Sequence, residues 1–185
     1  SNLAYTILSG HRVSLNHKFE KTDRNDHDLL NPAKSRWVTQ NDLTTNIWAM
    51  NYEAEFLDGK LRTNIFGKYA VYTSEQATPL GEINGVMNFS KSMTTRDNKG
   101  YGGTLSYEPL KNAFLIASAE KSFIMPTDRH IYGEPENNLL ANPDILTEMT
   151  INYNLGARYN MVNLDEHRFA FYGNAFWRNG FDKII

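Results

Sequence analysis

Seven stretches of this sequence alternate apolar and polar side chains with a period of two, and the connections between them alternate in length. Together these two periodicities restrict the folds open to the chain more than any other feature. A period of two puts every second side chain on one face of an extended strand. The stretches lie at about 11–22, 44–57, 61–72, 101–108, 113–122, 149–159 and 167–178. In the second, Trp48, Met50, Tyr52, Ala54 and Phe56 oppose Asn51, Glu53 and Glu55. In the third, Leu61, Ile65, Tyr69 and Val71 oppose Arg62, Asn64 and Lys68. In the sixth, Ile151, Tyr153, Leu155, Ala157 and Tyr159 oppose Asn152, Asn154 and Arg158. No helical amphipathic period competes with this pattern, so the expected fold class is all-β, an antiparallel up-and-down meander.

The connections divide the classes that share this pattern. Three are short: Asp58-Gly59, residues 108–112 and a turn near 160–165. Three are long, about 23–43, 73–100 and 123–148, and long and short follow one another in strict order. A compact soluble domain seldom carries three structureless loops of that length. In an up-and-down barrel across a membrane, successive connections fall on opposite sides, with tight turns on one side and long loops on the other. Strands of this length match the roughly 9–11 residues that cross the hydrocarbon when tilted. Trp48, Phe56, Tyr69, Tyr107, Tyr159 and Trp177 sit towards strand ends, as interfacial aromatic girdles do. The expectation is a segment of a transmembrane β-barrel. The alternative is a soluble β-sandwich that binds carbohydrate or protein, because sandwich strands alternate as well.

Composition removes other classes. The 185 residues carry a formal charge of −2, which gives no electrostatic basis for nucleic-acid binding. There is no cysteine, which excludes disulfide scaffolds, Cys-based zinc sites and cysteine nucleophiles. No apolar run reaches the roughly 18 residues of a membrane helix, and the mean hydropathy is −0.54. Five histidines are scattered without an H-E-x-x-H spacing, and no G-x-S-x-G occurs, so neither an enzyme nor a metal site is expected. Asp23, Asp26, His27 and Asp28 lack the glycine and glutamate of a calcium loop and read as a solvated acidic loop. Gly100, Gly102 and Gly103 lack phosphate-loop spacing and are expected to permit a bulge.

Residues 117–159 carry a resemblance. A strand ends in Ser-Phe-Ile-Met-Pro, with Phe123 and Pro126, and Tyr132-Gly133 follows. Next come Asn142, Pro143, Leu146 and Glu148, then Asn152-Tyr153-Asn-Leu155-Gly156-Ala-Arg158-Tyr159. In order and spacing this resembles the late barrel of TonB-dependent outer-membrane receptors. Ile124, Thr147 and Asn154 depart from the residues usual there.

The resemblance implies a 22-stranded barrel around a plug, located in the outer membrane. Such a barrel takes up a scarce nutrient (ferric siderophore, haem, cobalamin or glycan) with energy delivered through TonB. Residues 1–185 then form about seven strands of the barrel and no plug, so TonB would act through a part that this sequence lacks. The expected partners are an extracellular ligand and outer-membrane lipid, with no cofactor and no metal. Arg129, His130, Tyr132 and Arg158 are the candidate ligand contacts. Arg129, Tyr132 and Arg158 have wall hydrogen bonding as their other reading, and His130 that of an exposed loop histidine.

Overall fold

A computed structural model describes residues 1–25, 39–133, 140–164 and 167–182. They form one antiparallel sheet of eight strands in sequence order. The strands are β1 (Asn2–Leu8), β2 (His11–Asn25), β3 (Gln40–Phe56), β4 (Leu61–Ile83), β5 (Val86–Leu110), β6 (Ala113–Ile124), β7 (Glu148–Leu164) and β8 (His167–Phe181). Each strand pairs with the next one in the chain, and β1 and β8 are the two edges. A sandwich needs a second packed sheet, and the described residues contain none.

The register keeps the two faces separate across all eight strands. One row runs Val13, Tyr52, Ile65, Gly103, Ala119, Tyr153, Trp177. Its neighbour on the other face runs Arg12, Glu53, Asn64, Thr104, Ser118, Asn154, Phe176. The first face is apolar and open: Ile65, Leu155 and Trp177 are 55%, 64% and 68% exposed. The second is mixed and tied by side-chain ladders. Arg178 Nε donates to Asn152 Oδ1 at 2.8 Å, Asn154 Nδ2 donates to Ser118 Oγ at 3.1 Å, and Arg62 pairs with Glu55 at 3.2 Å.

The structure adds a strand to the seven expected. Leu3, Tyr5 and Ile7 alternate with Asn2, Ala4 and Thr6, but over a run that ends at the Ser9-Gly10 turn. It also replaces one expected loop. Residues 73–100 are the outer halves of β4 and β5, closed by a turn at Asn84-Gly85. Both turn residues have positive φ, 52° and 80°, the geometry that matches strand twist in a two-residue hairpin. Pro79 and Gly81 hid this ribbon in the sequence, and the ladder slips between them. Gly100, Gly102 and Gly103 form no bulge, since the pairing runs through them without a shift. Gly102 instead lets Phe66 lie across the backbone.

Tight turns at Ser9-Gly10, 57–60 and 111–112 share one end of the sheet with the approach of β7 to β8. The connections β2–β3, β4–β5 and β6–β7 share the other end. The expected segregation of connection lengths is therefore present, although one long connection is a β-ribbon. Asp26, His27 and Asp28 lie outside the described residues, whereas Asp23 is on β2, ion-paired with Lys21 at 2.8 Å.

Candidate functional site

The described parts of the connection between β6 and β7, residues 125–133 and 140–147, fold back over the mixed face. Alternation makes this visible along β4. Ala70, Tyr72 and Ser74, on the mixed face, are buried, while the intervening Val71 and Thr73 are half-buried and Tyr69, just before them on the apolar face, is 41% exposed. What covers them begins at Phe123, whose ring packs on Gly100, where an added Cβ would lie 3.2 Å from Phe123 Cε1. The Lys68 ammonium sits 4.7 Å from that ring's centroid.

Next comes a single helical turn, α1 (Asp128–Tyr132), with Ile131 buried beneath it. Thr127 precedes the turn in extended geometry, and His130 closes it from the third helical position. Thr127 N donates to His130 Nδ1 at 3.2 Å, and Thr127 Oγ lies 3.0 Å from the same nitrogen. An Nδ1 that accepts this bond carries no proton, so the neutral ring presents N–H at Nε2.

Three side chains brace the segment across four strands. The Tyr132 hydroxyl is 2.6 Å from the Asp42 carbonyl on β3 and 3.2 Å from the Glu75 carbonyl on β4. Arg24 of β2 donates to the Gly133 carbonyl at 2.9 Å and lies 4.0 Å from the Asp128 carboxylate. Arg96 of β5 donates to the Ile145 carbonyl at 3.3 Å and reaches Asp144 at 3.6 Å. Asp144 is 95% exposed, so that ion pair contributes little and the bond to the carbonyl matters more. Burial, followed by the nearby Asp42 carboxylate, pushes the Tyr132 hydroxyl pKa up to about 12. Its proton therefore stays in place at ordinary pH.

The structure places Arg129, His130 and Tyr132 on this one turn and separates Arg158 from them. Arg158 lies towards the tight-turn end of β7, between Phe114 and Tyr172 in the ladder, and its Nε donates to Asn160 Oδ1 at 2.8 Å. The hydroxyl of Tyr132 is committed to the wall. The outward surface of the turn is carried by Arg129, which is exposed, and by half-buried His130. Arg24 and Arg96, which fix the turn, are not legible as partners in the sequence. They lie 109 and 49 residues from the carbonyls they hold, and no local pattern links such positions. Among the described residues no three His, Cys, Asp or Glu side chains gather closely enough to hold a metal ion.

No protein-family model and no curated protein matches the chain. Among solved structures, the sheet superposes on the hemophore receptor HasR of Serratia marcescens, in a double mutant solved with its hemophore HasA and heme. The TM-score is 0.54 over 97% of this chain, at 11% identity. The two share a fold. The aligned part is 31% of the receptor's own chain, so the present sequence spans about a third of that length.

Proposed function

We propose that the chain forms part of the wall of an outer-membrane β-barrel receptor that takes up a scarce extracellular nutrient. The observation that carries this reading is the continuous apolar face. From Leu61 to Val71 on β4, and across the rows paired with it, large hydrophobic side chains point away from the mixed face, and none of the described residues packs over them as a second layer. In water such a face would drive association. In a bilayer it is the face that lipid requires, with the inner strands β2–β7 paired on both sides along the ladder. The mixed face then looks into a wet lumen, and the braced turn lies over the lumen's outer end.

In this reading the nutrient meets Arg129 and His130 from outside, and Arg158 belongs to the far end of the lumen wall. The distant receptor fold and the motifs within 117–159 support a TonB-energised uptake role, with TonB acting through a plug outside this sequence. The cargo classes are ferric siderophore, haem, cobalamin or glycan. Transport breaks no bond, so no catalytic residue is assigned.

The test uses the protein carrying this chain, expressed with a membrane-targeting leader. It should fractionate with outer membranes and show heat-modifiable migration. Hemin, ferrichrome and cyanocobalamin are then titrated against its tryptophan emission. Saturable quenching by one of them should weaken in Arg129→Ala and His130→Ala and persist in Arg158→Ala. Recovery of the protein in the soluble fraction would end the proposal.

A further inference from the structure

We infer that the apolar face carries a binding site for a phosphate-bearing lipid, with Lys99 and Lys121 holding the headgroup. The inference rests on the outer-membrane reading and adds an occupant to one patch of the lipid-facing surface.

From the tight-turn end through the row Val13, Tyr52, Ile65, Gly103, Ala119, Tyr153, Trp177, this face has no Lys, Arg, Asp or Glu among the described residues. The first charges met beyond the apolar band are Lys99 and Lys121. Lys99 pairs across the ladder with Tyr69, and Lys121 with Tyr101. The two lysines are therefore diagonal neighbours on adjacent strands, each beside an aromatic ring. The Lys99 ammonium lies 5.8 Å from the Tyr69 centroid.

On β2 the first charge is Lys21, four residues beyond His17, and Asp23 and Asp42 already neutralise it at 2.8 and 3.5 Å. Neither Lys99 nor Lys121 has an ion pair among the described residues. The nearest acid on this face by register is Asp97, two residues further out on β5. Cations that stand closest to the hydrocarbon, with acids further out, match the height of lipid phosphates.

The surface beneath the lysines has a fitting shape. Small residues leave shallow depressions, wide open to the outside, in what would otherwise be a bulky wall. Under Lys99, Gly67 floors a depression of about 440 Å³ between Leu15, Met50 and Tyr69. Under Lys121 a second depression of about 360 Å³ is floored by Gly103 and Ala119 and walled by Tyr101 and Tyr153. It opens into a trough of about 600 Å³ over Ala117, Leu155 and Trp177. Hollows under a pair of unpaired cations suit acyl chains hanging from a phosphorylated headgroup. The occupant is a lipid rather than free phosphate, because the hollows gain only from apolar chains.

The test reconstitutes the protein in nanodiscs of phosphatidylcholine doped with bis-phosphorylated lipid A, and counts retained lipid by native mass spectrometry. Wild type should enrich lipid A over phosphatidylcholine. Lys99→Gln with Lys121→Gln should lower that enrichment about 25-fold, since each lysine near an anionic surface contributes on the order of a fivefold preference. Lys99→Arg with Lys121→Arg should keep it, and Lys21→Gln should leave it unchanged. Ala117→Trp, which fills the trough and leaves both charges, should also lower it. Equal retention by the double glutamine variant, or displacement of the lipid by inorganic phosphate, would overturn the site. A protein that never enters the nanodisc sinks the membrane reading itself, whereas one that enters without enriching lipid A sinks only this site.

Discussion

A methyl group on Gly102 would lie 2.7 Å from the Ala119 carbonyl and 2.7 Å from Phe66 Cζ. The carbonyl is backbone and cannot step aside, so the position tolerates no side chain. Gly102→Ala should destabilise the sheet by about 1–3 kcal/mol, the usual cost of overpacking. Denaturant unfolding in detergent reads that value, and no change would mean that β5 and β6 shift freely. Tyr132 gives a second test. Its hydroxyl moves from an ordinary pKa of 10.0 to about 12 on folding, chiefly through burial. The folded state thus holds the proton more tightly, and the brace is intact below pH 10 and lost as pH rises towards 12. An ultraviolet tyrosinate titration of wild type minus Tyr132→Phe should show one hydroxyl titrating near the upper value. A midpoint near 10 would place that hydroxyl in water.

At the scale of elements, the braced turn depends on charged donors to carbonyl oxygens. Such bonds contribute about 1.5–3 kcal/mol when buried and less at half-exposed sites. Arg24→Ala combined with Arg96→Ala should therefore open the 125–147 connection to proteolysis while the ladder stays intact. The 2.9 Å bond of Arg24 makes it the larger contributor. Cleavage no faster than in wild type would show that Tyr132 and Ile131 suffice.

The strands themselves were largely legible, because Trp48, Met50, Tyr52, Ala54 and Phe56 state a period of two without interruption. Only the inner halves of β4 and β5 are legible, since Pro79, Gly81 and a polar run disguise the ribbon beyond them. The turn at 128–132 left no periodic signal at five residues. Only the resemblance within 117–159 points to Arg129 and His130, and the seating of their turn depends on Arg24 and Arg96, which only folding brings near.

For the whole molecule, the two faces predict opposite responses to charge at adjacent positions of β7. Leu155→Arg puts a cation into the apolar band and should cost about 2–4 kcal/mol of membrane stability near the midplane. Asn154→Arg lies on the mixed face, the lumen side in the proposed reading, and should change stability little. Similar losses for both, measured by refolding into vesicles, would mean the faces are not in different solvents. Without detergent, the unpaired edges of β1 and β8 and the bare apolar face should make the 185-residue chain self-associate. Gel filtration that shows a compact monomer in plain buffer would contradict this single-layer architecture.

Tyr132 grips the main chain at Asp42 and Glu75, so its hydrogen bonds use neither side chain, and the Asp42 carboxylate acts on the hydroxyl only by raising its pKa. Both can be exchanged for other residues without unseating the arch above them. Substitution at the rim thus alters its chemistry while the footing of the arch stays unaltered.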